Sequence, residues 1–76
     1  METQEQAQAR LSAILIQLVP GTSLRIDDRA MAAAFGHDDA QGNAETFARE
    51  NDCAFRYEAG AHYGDGVGVF GRAYAR

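Results

Sequence analysis

The sequence predicts a small α+β domain in the order α-β-α-α-β-β, closing on a C-terminal β-hairpin. Three observations carry that expectation. An amphipathic helical pattern opens the chain, and two short helical segments follow a strand-like stretch. The last third alternates with the two-residue period of strands around a glycine-rich connection. A chain of 76 residues is the size of one domain. Such a domain buries only about 60% of its unfolded surface, so its stability margin is thin.

Residues 3–19 form the strongest helical pattern. Leu11, Ile14, Leu15 and Leu18 stand at i, i+3, i+4 and i+7, and Ala7 extends the stripe by a turn. Thr3 and Gln6 fit a capping box, and Pro20-Gly21 supplies a stop. Ile16 lies off the stripe and is a second contact, with the core or with a partner. Residues 22–27 read as a strand in which Leu24 and Ile26 alternate with Ser23 and Arg25. Asp27 or Asp28 then caps a helix over 28–35, with Met31, Ala34 and Phe35 on one face and Gly36 at its end. The stretch HDDAQGN reads as a polar turn. Asn43 is the expected cap of a third helix over 43–51, with Ala44, Phe47 and Ala48 inward. Glu45 and Arg49 make a solvent-side pair worth a few tenths of a kcal/mol. The hairpin spans 53–74: CAFRYE, the connection AGAHYGDG, and the returning strand VGVFGRAY.

That element order resembles the winged helix-turn-helix architecture over nearly the whole chain. In that architecture a short strand precedes the second helix, the third helix reads DNA, and the last two strands form the wing. Ala32 and Gly36 match the small-residue-then-glycine spacing of helix-turn-helix second helices. Beyond Gly36 the match fails, because HDDAQGN is longer than a three- or four-residue turn.

Eleven acidic side chains against seven arginines and no lysine give a net charge of −4. An acidic chain repels phosphate backbones at long range, so DNA binding has to come from a local patch. The expected third helix turns Glu45, Thr46, Arg49 and Glu50 outward, a net negative face unsuited to a major groove. Arg49, Arg56, Arg72 and Arg76 are the DNA-contact candidates, the last three as a basic edge of the wing. No apolar run approaches the ~20 residues of a membrane span. The acidic, glutamine-rich start is no secretory signal, so the expected location is cytoplasmic.

Motif by motif, chemistry recedes. Residues 66–71, GVGVFG, fit G-x-G-x-x-G. A dinucleotide fold needs a helix and an acidic ribose ligand after it, and a kinase loop needs a following lysine and metal-binding aspartate. Only five residues remain, so the glycines are read as permitting a bulged or twisted strand. His37, Asp38 and Asp39, with Asp27 and Asp28, lack the spacing of a calcium loop and read as a solvated turn with capping acids. His62 has no evident partner. Cys53, the single cysteine, reads as a small hydrophobe entering a strand. No catalytic, cofactor-binding or metal-ligating residues are assigned, and an enzyme is not expected.

The last strand sets a sharper question. Val67 and Val69 share one face while Phe70, Arg72 and Tyr74 share the other, so both faces are partly apolar. Either a bulge at Gly68 or Gly71 switches the facing, or Phe70 and Tyr74 stand exposed beside Arg56 and Arg72 as an interface of aromatic and arginine side chains. The expected function is a small acidic, non-enzymatic protein-interaction or regulatory module of phage or mobile-element type. Arg56, Phe70, Arg72 and Tyr74 are its contacts, and the partner is a protein, a second copy of the chain included. The alternative is a winged helix-turn-helix DNA-binding regulator using wing arginines.

Overall fold

The order α-β-α-α-β-β is the order of the structure, a computed structural model that describes residues 2–62 and 65–72. Helix α1 spans Gln4–Ile16, strand β1 Ser23–Asp27, helix α2 Asp28–Phe35 and helix α3 Ala40–Glu50. Strands β2, Cys53–Glu58, and β3, Val67–Arg72, complete it. The three strands form one antiparallel sheet in the order β1-β3-β2, so the last strand is the central one. The helices cover one face of that sheet. Ala7, Leu11 and Leu15 of α1, Met31, Ala34 and Phe35 of α2, and Ala44 and Ala48 of α3 are buried together with Phe70.

Local chemistry sets each boundary. The Thr3–Gln6 capping box forms in full at the start of α1. The helix ends three residues short of the expected 19, because Pro20 pushes the residue before it out of the helical region. In place of a further turn, the Arg72 guanidinium donates to the Leu15 carbonyl at 2.7 Å and to that of Ile16 at 3.2 Å. Of the two candidate caps of α2, Asp27 takes the role and accepts from the Ala30 N–H at 2.8 Å. Gly36, at φ 76°, ends that helix in a conformation glycine adopts without strain.

The third helix departs from expectation. It starts at Ala40, three residues before Asn43, with Asp39 as its cap. Gly42 suggests a turn in sequence, but it is helical. A Cβ there would strike the Asp39 carboxylate, which accepts from the Gly42 N–H at 3.3 Å. Asn43 does not cap the helix. From inside α3 its amide donates to the carbonyls of Phe35 and Asp38, each at 3.2 Å, and closes the turn. Residues 36–39 are then all that separates α2 from α3. The turn has helix-turn-helix length, and the mismatch expected beyond Gly36 disappears.

Neither expected arrangement of the last strand occurs. Pairing runs unbroken from Val67 to Arg72 against β2, and from Val67 to Gly71 against β1, so β3 has no bulge there. Phe70 is not exposed either: it is 0% accessible on the helix side. It is thus no partner contact, and Val67, Val69 and Gly71 take the opposite face by the two-residue period. Val69 is nonetheless only 4% exposed. Its register neighbours on either side are Arg25 and Arg56, long side chains whose aliphatic stems are able to cover apolar surface. On the helix-1 stripe Ile14 is also corrected: it is 43% exposed, while Leu11 and Leu15 are buried.

The glycines of GVGVFG act through the space they leave. A Cβ on Gly68 would stand 2.7 Å from the Met31 sulfur and 3.0 Å from the Phe55 ring, whereas one on Gly71 would meet nothing. Gly68→Ala should therefore destabilise the domain by about 1–3 kcal/mol through overpacking. Gly71→Ala should be neutral or stabilising by up to about 1 kcal/mol, since glycine inside a strand is itself costly. Urea midpoints of the two variants against the parent check the contrast.

Candidate functional site

The described surface offers three features that could carry function. The first is the sheet face that no helix covers. Across it Arg25 of β1 and Arg56 of β2 both reach Glu58, at 2.6 and 2.9 Å. The hydrogen bond from Arg25 is the main reason the Glu58 carboxyl sits below the ordinary glutamate range, with Arg56 adding to it. The two guanidiniums thus share one carboxylate, and the Arg25 bridge clamps the outer strands over the central one. Beside the clamp, Ser23, Ala54 and Gly71 leave a shallow hollow of about 200 Å³.

The second feature is the far end of α1 and the segment after it. Ile16 and Val19 are 66% and 65% exposed, and Ile14 is 43% exposed. Residues 11–24 contain no charged side chain at all. Ile16, off the core stripe in sequence, accordingly points away from the core.

The third feature centres on Asp28, at the first turn of α2. Because Asp27 does the capping, Asp28 is released for longer contacts. It accepts from the Tyr57 hydroxyl at 2.6 Å and from the Gly66 N–H at 3.1 Å, tying α2 to both ends of the β2–β3 connection. A Cβ on Gly66 would overlap the Tyr57 hydroxyl, so only glycine fits beneath this latch. The bond to Asp28, with burial behind it, pushes the Tyr57 phenol above its usual range. No residue pattern in the sequence announces the latch, since Asp28 and Tyr57 lie far apart along the chain.

Against these features the sequence-predicted residues divide. Phe70 lies in the core. Arg72 is half-buried and holds the end of α1. Arg56 is exposed but bridged to Glu58. Arg49 is exposed on α3 among Glu45, Glu50 and Asp52, and the turn before that helix adds Asp38 and Asp39. Tyr74 and Arg76 lie outside the described residues. Comparison with known proteins gives no relative: no family model, curated protein or solved structure matches this chain.

Among the described residues no group of three His, Cys, Asp or Glu side chains is placed to hold a metal ion, and no helix is long and apolar enough to cross a membrane. Cys53 is buried, its thiol donates to the Asn51 carbonyl, and burial pushes its pKa up, away from a reactive thiolate.

The Glu58 clamp has a pH signature. A carboxyl depressed in the folded state contributes stability above its unfolded pKa of about 4.3 and loses it as pH falls through the folded value. Thermal midpoints followed from neutral pH to below about pH 4 should therefore fall more steeply for the parent than for Glu58→Gln. Parallel curves would show that the clamp adds nothing.

Proposed function

We propose that this chain is a non-enzymatic protein-interaction module, and that it meets its partner through the uncharged end of α1. The observation that carries this reading is the exposure of Ile16 and Val19, with Ile14, within a stretch free of charge on an otherwise acidic chain. Exposed apolar surface grouped in one place is what protein-binding sites offer, whereas scattered single residues are ordinary. An apolar centre free of charge also avoids the desolvation that burying ions incurs. A regulatory role in the cytoplasm, acting on a protein partner or on a second copy, is the setting this reading implies.

The double variant Ile16→Asp/Val19→Asp tests it. Both positions are solvent-facing, so the variant should keep the parent's circular dichroism and thermal midpoint to within about 0.5 kcal/mol. Immobilised parent chain should capture a nuclease-resistant partner from native lysate, or sediment as a dimer, and the variant should lose that behaviour. Equal capture and equal sedimentation by the two proteins would refute the patch.

A DNA-binding regulator is the second reading. It is favoured by the residue 36–39 turn, which gives α2 and α3 helix-turn-helix spacing, and by a strand order that ends in a hairpin beside them. Charge opposes it. Five exposed carboxylates, Asp38, Asp39, Glu45, Glu50 and Asp52, stand on α3 and its flanking turns against the single Arg49. If DNA is bound through Arg49 and the hairpin arginines, a mobility shift at about 50 mM salt should weaken as salt rises and vanish in Arg49→Glu/Arg56→Glu. No shift from the parent under those conditions ends this reading.

A further inference from the structure

Between α2 and the β2–β3 connection lies an open cleft of about 980 Å³, at the upper end of the size range of small-molecule sites. Its walls owe that width to small side chains. Ala32 of α2, Ala40 of α3 and Ala59 and Ala61 of the connection line it, over a floor that includes the buried Met31. The Asp28–Tyr57–Gly66 latch holds the connection at this distance from α2.

The polar groups of the cleft are unevenly spent. Asp28, its carboxylate, has both oxygens engaged by the latch. Arg29, the next residue, is exposed at the same cleft and has neither an ion pair nor a side-chain hydrogen bond among the described residues. Other arginines are committed: Arg10 to Glu2, Arg25 and Arg56 to Glu58, and Arg72 to the end of α1. Arg49 stands on the acidic face of α3, away from the cleft. His37 and His62 line the cleft as well, adding imidazole donors.

We propose that this cleft is a binding site for a small organic anion, a carboxylate carried on a flat apolar body, with Arg29 as its anchor. A guanidinium presents paired N–H donors that match a carboxylate and has no acceptor of its own. The alanine walls leave room for a ring and bury its faces. A cation finds less here, because the one carboxylate that lines the cleft, Asp28, already has each oxygen engaged by the latch. The site is separate from the α1 surface, and the chain's net negative charge keeps the affinity modest by opposing anions at long range.

Benzoate is the probe and benzamide its neutral counterpart of equal shape. In amide chemical-shift titrations of the full chain, benzoate should give saturable shifts at Arg29, Ala32, Ala40 and Gln41, and benzamide should not. Arg29→Gln, a change at an exposed position, should weaken benzoate by about tenfold or more, as loss of a charged hydrogen bond requires. Ala59→Leu should weaken it too by filling the cleft while leaving Arg29 in place. The proposal fails if benzoate shows no saturation by about 20 mM, if benzamide binds equally well, or if Arg29→Gln leaves the affinity unchanged. It fails equally if the saturable shifts fall on residues 14–19 instead, for the apolar surface of α1 is then the site.

Discussion

Everything in this fold depends on which way Phe70 points. It sits on the central strand, and its ring meets Phe55 of β2 at 5.0 Å, Phe35 of α2 at 6.1 Å and Phe47 of α3 at 6.3 Å. One side chain therefore orients two helices against the sheet. Strand periodicity makes the choice binary: a slip of one residue would bring Val69 inward and turn Phe70 to water. Removing a buried phenylalanine costs about 3–5 kcal/mol, a large share of the 5–15 kcal/mol by which domains are stable. For so small a core that difference decides the register.

With Phe70 fixed inward, the residues around it acquire their roles. Gly68 faces the same side and must be small, because Met31 and Phe55 close over it. Gly66 must be small so that Tyr57 can cross to Asp28. Polar ties supplement the limited apolar area at the seams. Gln8 donates to the Ala34 carbonyl and joins α1 to α2, while Ser12 donates to Asn51 and joins α1 to the end of α3. Each tie satisfies a group that packing would otherwise bury unpaired.

Element order and core positions were largely legible in the sequence, because apolar periodicity reports burial directly. Met31, Ala34, Phe35, Ala44 and Ala48 could be placed inward from spacing alone. The start of α3 was not legible. Gly42 and Asn43 carry turn-like preferences that the Asp39 cap and the bonds to Phe35 and Asp38 override. Helix α1 misled at its far end because Ile14 fits the stripe by number, yet it is 43% exposed where Leu11 and Leu15 are buried. The facing of β3 could not be read at all from its own residues. Val69 looks like core in sequence and is buried, but on the face opposite Phe70, where arginines of the two other strands flank it. The candidate sites were less legible than the fold. The latch and the cleft join residues far apart in the chain, and the commitment of each arginine depends on where its carboxylate or carbonyl partner falls.

That commitment shapes what the surface can offer. An arginine counted from sequence is a potential phosphate contact; one donating to a helix end or sharing a glutamate has part of its donor set engaged. Arg25 bridges two strands, Arg56 pairs with Glu58 of its own strand and Arg72 holds a helix end, and freeing them for a nucleic acid would cost the folded state those contacts. The acids of α3 and its flanking turns face water with little basic compensation, so the long-range field favours cations and repels anions. Two kinds of recognition are compatible with such a field. One uses apolar contact where charge is missing, as at the end of α1. The other uses a single guanidinium inside a cleft, where a short-range bidentate bond outweighs the distant repulsion. Both are places where the fold has left a group unspent, and for a chain that employs most of its arginines internally, those are the positions from which specificity can arise.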